Sequence, residues 1–316
     1  MRELLGRYCW GLLLVFSALC TEITADIVNK LPLSQLYDEH CSSVVKVKYN
    51  KEGSQKFASG FFVSASGHVL APVIGGDDFS VELVSRQRCS AKLLAEDKRC
   101  SIALLKVDLG PTKVSFFSLM KSGEWPKIGQ SVVSLACRLG LNVSPQKGYI
   151  TGFNSQCFGS DFPMTLVRTS LTMGGGDGGG VVLDRYGALQ GMLLHAIAGA
   201  QETFFMPLCG LCRVFQDLLV FGRVRYCYVG LNTEAVFDNK QKEVVLRVRE
   251  VVPLSPASKA NFKVGDILRY VNGEKIDSVE YFKNFLFLSS PGDVCMVEIE
   301  RDGKCQVLRL ILEEKK

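Results

Sequence analysis

From Val44 the chain breaks into short apolar or alternating runs, and no stretch has helical spacing before Pro207. The runs are Val44–Tyr49, Phe57–Val63, His68–Val73, Ser80–Ser85, Ala91–Ala95, Ile102–Val107, Ser131–Ala136, Gly148–Phe153, Thr165–Thr169, Val181–Leu183 and Ala188–Leu194. Gly53 and the Ser66-Gly67 pair punctuate the first of them. Strands this short and regular, with no helices between them, predict an all-β barrel or sandwich. About twelve strands over this length suit two barrels better than one.

The character changes at Pro207. Leu208, Leu211, Phe215, Leu218 and Leu219 recur at helical spacing and predict a helix that closes the β unit. Gly222–Tyr226 is a basic joint without period. A smaller unit of mixed α and β follows. Val244–Val248 reads as a strand, and Asn272-Gly273 is a strong hairpin signal. Ser278 can N-cap a helix over Val279–Leu288 that Pro291-Gly292 ends. Cys295–Arg301 and Gln306–Leu312 flank Asp302-Gly303 as a last hairpin.

With 316 residues, 47% of them hydrophobic, the chain has ample material for one or two cores. A net charge of +5 with no Lys/Arg cluster gives no case for nucleic-acid binding. Arg2 and Arg7 followed by the apolar Gly11–Cys20 read as an export leader, cut near Ala25. The apolar run is short for a membrane span. An uncleaved anchor is the competing reading, and Ser17-Ala18-Leu19 before Cys20 is a poor signal for lipid attachment. Export places the chain in the periplasm or cell envelope, or outside the cell, with membrane association through the N-terminal segment as a variant. Cys9 and Cys20 fall in this leader, which leaves ten of the twelve cysteines in an export route that permits disulfides.

Thr172–Val182 reads TMGGGDGGGVV. Glycine reaches φ > 0 freely, and such a run presents unobstructed N–H groups suited to an anion or an oxyanion. No hydroxyl or thiol lies on it between Met173 and Val182. Six glycines are costly to order, so a loop collapsed without ligand is the expectation. A dinucleotide fold would need a helix after the run, whereas Val181–Leu183 and Asp184–Gly187 read as a strand and a turn.

Two resemblances cover nearly the whole mature chain. Val251–Phe282, with its Ser255-Pro256-Ala257, Gly265-Asp266 and Val271-Asn272-Gly273, resembles a PDZ domain. Ser59-Gly60-Phe61-Phe62-Val63, Gly67–Leu70, Ile102–Val107, Gly148-Tyr149-Ile150 and Asp184–Met192, in that order, resemble the trypsin-like domain of the HtrA/DegP serine proteases. The resemblance implies a mainly β chain: a leader over 1–25, a trypsin-like double β-barrel over 26–221 and a small α+β PDZ domain over 222–316. It also implies a homotrimer, for which Leu31–Tyr37 could serve as the contact, or a hetero-oligomer with an active homologue. It implies no cofactor and no metal.

Serine proteolysis needs a hydroxyl nucleophile, an imidazole base and an orienting carboxylate. In the family's motifs these positions fall here on Gly178, Ile74 and Ser101. His68 comes four to six residues too early for the base. The expectation is therefore a chain that is not an enzyme, a pseudoprotease with Gly176, Asp177 and Gly178 as a degenerate oxyanion loop. Its remaining work would be to bind peptide C-termini or unfolded proteins, as an envelope chaperone, adaptor or regulator. An active serine endopeptidase with an unrecognised site is the alternative.

The PDZ resemblance assigns carboxylate binding to the loop Tyr228, Val229, Gly230 and Leu231, with peptide added as a strand beside Leu231–Thr233. Phe282 and Leu286 border the pocket by helical spacing, and ordinary core is an equal reading for both. Cys209 and Cys212 form a CxxC at a helix start, where a thiol pKa is lowered; redox chemistry, a disulfide, buried thiols or half a metal site are the readings. A lone His195 in Met192–Ile197 reads as a packed polar residue.

Overall fold

The computed structural model describes residues 31–73, 75–119, 125–157, 160–196, 202–238 and 242–315. The leader and Ile74 lie outside the described residues. The chain is mainly β, built as two closed six-stranded barrels followed by a PDZ-type unit.

The first barrel holds β1 (Val44–Lys51), β2 (Ser54–Phe62), β3 (His68–Pro72), β4 (Asp77–Glu82), β5 (Arg88–Asp97) and β6 (Ile102–Val107). It runs in the order β1-β2-β3-β6-β5-β4 and closes where Val47 of β1 pairs with Val81 of β4. The second holds β7 (Ser131–Ala136), β8 (Ser144–Cys157), β9 (Ser160–Thr169), β10 (Val181–Asp184), β11 (Leu189–Ala196) and β12 (Thr203–Pro207). It closes through β10 and β7, with Val182 opposite Ser134.

Strand periodicity explains the unbroken apolar runs. Neighbouring side chains point to opposite faces, so a run with no polar alternation has both faces covered. Phe62, Val69 and Leu105 fill the first barrel's interior, while their neighbours Phe61, Leu70 and Leu104 face outward into a core shared with the second barrel. Leu193 and Phe205 fill the second barrel, and Leu194 and Phe204 join the shared core. Burying a Leu or Phe this way contributes about 1.5–3 kcal/mol each.

Helix α1 (Leu33–His40) precedes the first barrel. Leu36 is buried against the barrels, and His40 stacks on Phe117 at 5.4 Å. The segment considered for subunit contact thus packs on its own chain, with Leu33 facing out. The run read as Ser80–Ser85 is shifted. β4 ends at Glu82, because Leu83 N–H bonds Gln87 O and Arg86 takes φ +68° in the turn. Helix α2 (Leu208–Phe221) follows β12 and ends on Gly222 in the left-handed conformation, φ +67°.

The second unit contains β13 (Cys227–Tyr228), β14 (Leu231–Asp238), β15 (Glu243–Val251), α3 (Pro256–Lys259), β16 (Ile267–Val271), β17 (Glu274–Lys275), α4 (Val279–Leu288), β18 (Val294–Arg301), β19 (Lys304–Ile311) and β20 (Glu313–Glu314). Its main sheet runs β14-β15-β16-β18-β19, which leaves β14 on an edge. Ser278 Oγ accepts from Tyr281 N and caps α4. Asn272-Gly273 and Asp302-Gly303 both turn with positive φ at both residues.

The two units are joined by specific contacts. Thr165 N of β9 donates to Asn284 Oδ1 of α4 at 2.7 Å. Phe287 of α4 is buried in the core of the barrels. Tyr226, in the joint, donates to Asp97 Oδ1 at 2.7 Å. Among the described residues no helix is long and apolar enough to cross a membrane.

Candidate functional site

The glycine run is ordered, contrary to the collapsed loop expected of it. Asp177 is 2% exposed. Its Oδ2 accepts from Gly174 N at 2.8 Å and from Arg138 Nε at 2.9 Å. Gly179 N bonds Leu193 O and Gly180 N bonds Asp177 O. From the first barrel, Ser59 N donates to Gly178 O, and Ser59 Oγ donates to Gly176 O at 2.7 Å. One buried carboxylate and one serine from the other barrel offset the entropy of the glycines. Among the described residues the N–H groups of Gly176 and Gly178 bond no protein acceptor.

Of the three motif-matched positions, Gly178 and Ser101 lie among the described residues, and both adjoin the end of β3. Val73, next to Ile74, donates its N–H to Ser101 O at 3.0 Å. A Cβ built on Gly178 would stand 3.7 Å from Pro72 Cγ and 3.2 Å from Met173 Cε. His68 begins β3 at the end away from Pro72. Its Nδ1 lies 2.9 Å from Ser64 Oγ, and its ring meets Phe215 edge-on. Burial, and then the charge of Lys106, lowers the pKa of His68.

A groove of about 380 Å³ lies beside β14 and α4. Val229, Leu231, Phe282 and Leu286 line it, and Phe282 and Leu286 also pack on the core of this unit. Tyr228 is instead paired with Glu313 across β13 and β20 and lies outside the lining. Gly230 takes φ +74°, and a Cβ there would stand 2.2 Å from Ser255 Cβ, so only glycine fits the loop. Sequence reasoning missed Arg99 and Pro163, which line the groove from the first and second barrels, and Tyr226 from the joint. Tyr226 lay in plain view as the one aromatic of a basic joint. No local signal marks the other two.

Cys209 and Cys212 are free thiols. Burial raises the pKa of Cys209, against the lowering that redox chemistry at a helix start would use. The oxidoreductase reading loses its physical basis here. Cys137, beside the glycine run, is likewise pushed up to about 11 by burial.

Residues 58–192 match the trypsin-like peptidase domain model and residues 231–312 the PDZ domain model. The chain is similar to a "probable periplasmic serine endoprotease DegP-like" of Pseudomonas savastanoi pv. phaseolicola, 25% identical over 271 residues, covering 81% of this chain and 55% of the relative. It is similar to a "probable periplasmic serine protease do/HhoA-like" of Haemophilus influenzae, 26% identical over 280 residues, covering 84% and 59%. The chain thus spans little more than half the length of these curated relatives. Among solved structures, HtrA-type protease AlgW with a tripeptide superposes with a TM-score of 0.75 at 18% identity, covering 90% of this chain and 98% of that one. The serine endoprotease from Yersinia pestis gives 0.65 at 21%, covering 90% and 99%. These structural likenesses carry the fold.

The comparisons correct one expectation. That the chain is not an enzyme is overturned, because relatives matching 81% and 84% of it are named serine endoproteases or proteases. The expectation rested on three positions matched by motif, one of which, Ile74, lies outside the described residues.

Proposed function

We propose, on the premise that this chain belongs to the HtrA/DegP type of trypsin-like peptidase with a PDZ domain, that it takes the C-terminal ends of peptides or unfolded proteins into the groove between β14 and α4. The observation that carries this reading is the groove itself. β14 offers an unpaired strand edge, with Val229, Leu231 and Thr233 on one side and Phe282 and Leu286 on the other. A peptide strand there would satisfy the edge amides while its apolar end filled the groove. The AlgW structures named with a tripeptide and a decapeptide support the same use of the fold. The relatives' names support a periplasmic location, and we assign an export leader to 1–25. We divide the mature chain at Gly222, into 26–221 and 222–316.

In the first unit the positions that match the family's triad motifs by chain order are Gly178, Ile74 and Ser101, none of them the residue type its role needs, and Gly176, Asp177 and Gly178 make up the degenerate oxyanion loop. The N–H groups of Gly176 and Gly178 are the donors that would meet a substrate carbonyl. Serine endopeptidase activity is the reaction class that the relatives' names favour. Digestion of casein by the purified chain is the outcome that reading requires; casein left intact removes it.

Peptide capture is tested by fluorescence anisotropy with labelled decapeptides bearing a free C-terminal carboxylate. Saturable binding is expected, with loss on amidation of the peptide and about tenfold weakening in Phe282→Ala, the scale of a central interface residue. If no free-carboxylate peptide binds, the reading fails.

A further inference from the structure

The groove is charged in a way the apolar walls do not require. Arg99 from the first barrel and Lys315 near the C-terminus both line it, together with Lys283 of α4. No aspartate or glutamate lines it. Three of the acids nearby are already engaged. Asp97 accepts from Tyr226 Oη and Cys100 N, Glu313 pairs with Lys259, and Glu314 with Arg223. Among the described residues neither Arg99 nor Lys315 is ion-paired, and both are exposed. Arg99 lies over the Tyr226 ring at 4.1 Å, which holds its guanidinium at the mouth of the groove. Lys315 N donates to Tyr226 O, which fixes the backbone of the second cation on the same residue.

One C-terminal carboxylate does not balance both Arg99 and Lys315, since the capture reading already gives it the loop at Gly230. Resting on the peptide-capture reading above, we propose that the preferred ligand is a polypeptide end with at least one Asp or Glu among its last few residues besides the terminal carboxylate. The cation that selects it, Arg99, belongs to the barrel. Specificity is then a property of the docked pair of units, and the second unit alone supplies only part of it.

The test uses the full mature chain and three labelled decapeptides with the same apolar final residue. One carries Glu at the third position from the end, one carries Ala there, and one carries the Glu eight residues upstream. The first is expected to bind about three- to tenfold tighter than the other two at low salt, with the ratio shrinking toward one as salt rises. In Arg99→Ala, and further in the double variant with Lys315→Ala, the ratio is expected to fall toward one at low salt. Arg99→Glu should reverse it. Both positions are exposed, and an unchanged thermal midpoint checks that the fold is kept. Equal binding of all three peptides overturns the acidic preference and leaves peptide capture standing. A preference that survives the double variant overturns its assignment to these cations. Failure of every peptide to bind overturns the capture reading itself.

Discussion

Gly179 shows how tightly single residues are specified here. It sits at φ +86°, and a Cβ on it would lie 2.1 Å from Ser59 O and 2.6 Å from Pro72 Cδ. Gly179→Ala should cost about 2–4 kcal/mol, read as a lowered urea midpoint with unchanged slope, since both the conformation and the space are closed to a side chain. The demand for glycine was legible in the sequence. What holds the run was not, because Ser59 is 117 residues from Gly176 in the chain. A second residue-scale consequence concerns pH. Hydrogen bonds from Lys48 and Lys46 hold the Glu82 carboxyl down to about 2. A carboxyl depressed on folding stabilises fully above its unfolded value, near 4.5, and that contribution fades as pH falls toward 2. Glu82→Gln should therefore lower the melting temperature at pH 7 by the equivalent of about 1–3 kcal/mol, with the difference from the parent narrowing between pH 4.5 and 2.5.

Elements whose limits are set by local chemistry were readable. α4 begins at the Ser278 cap and spans Val279–Leu288, and the Asn-Gly and Asp-Gly turns close hairpins. The paired apolar faces of β2 and β6 followed from their unbroken runs. α1 was not readable, since eight residues beginning Leu33-Ser34-Gln35 show one buried side chain, Leu36, and no capping side chain. Nor was the docking of α4, because Asn284 carries no mark distinguishing a bond to Thr165 from a bond to water. Thr165 N has that amide as its acceptor. Asn284→Ala should cost about 1–3 kcal/mol by leaving this partly buried N–H unmatched, measured by calorimetry of the whole chain. An Asn284→Asp variant, which keeps an acceptor, should recover most of it.

At the scale of the whole molecule, the same α4 borders the groove and buries Phe287 in the core of the barrels. Tyr226 does the equivalent for the connection between units: its hydroxyl meets Asp97 and Cys100, and its ring lies under Arg99. A connector so pinned cannot serve as a swivel. In solution the two halves should tumble as one rigid body, with a single rotational correlation time for amides in both. Tyr226→Ala combined with Phe287→Ala and Asn284→Ala should release the tethers and give the smaller half faster reorientation of its own.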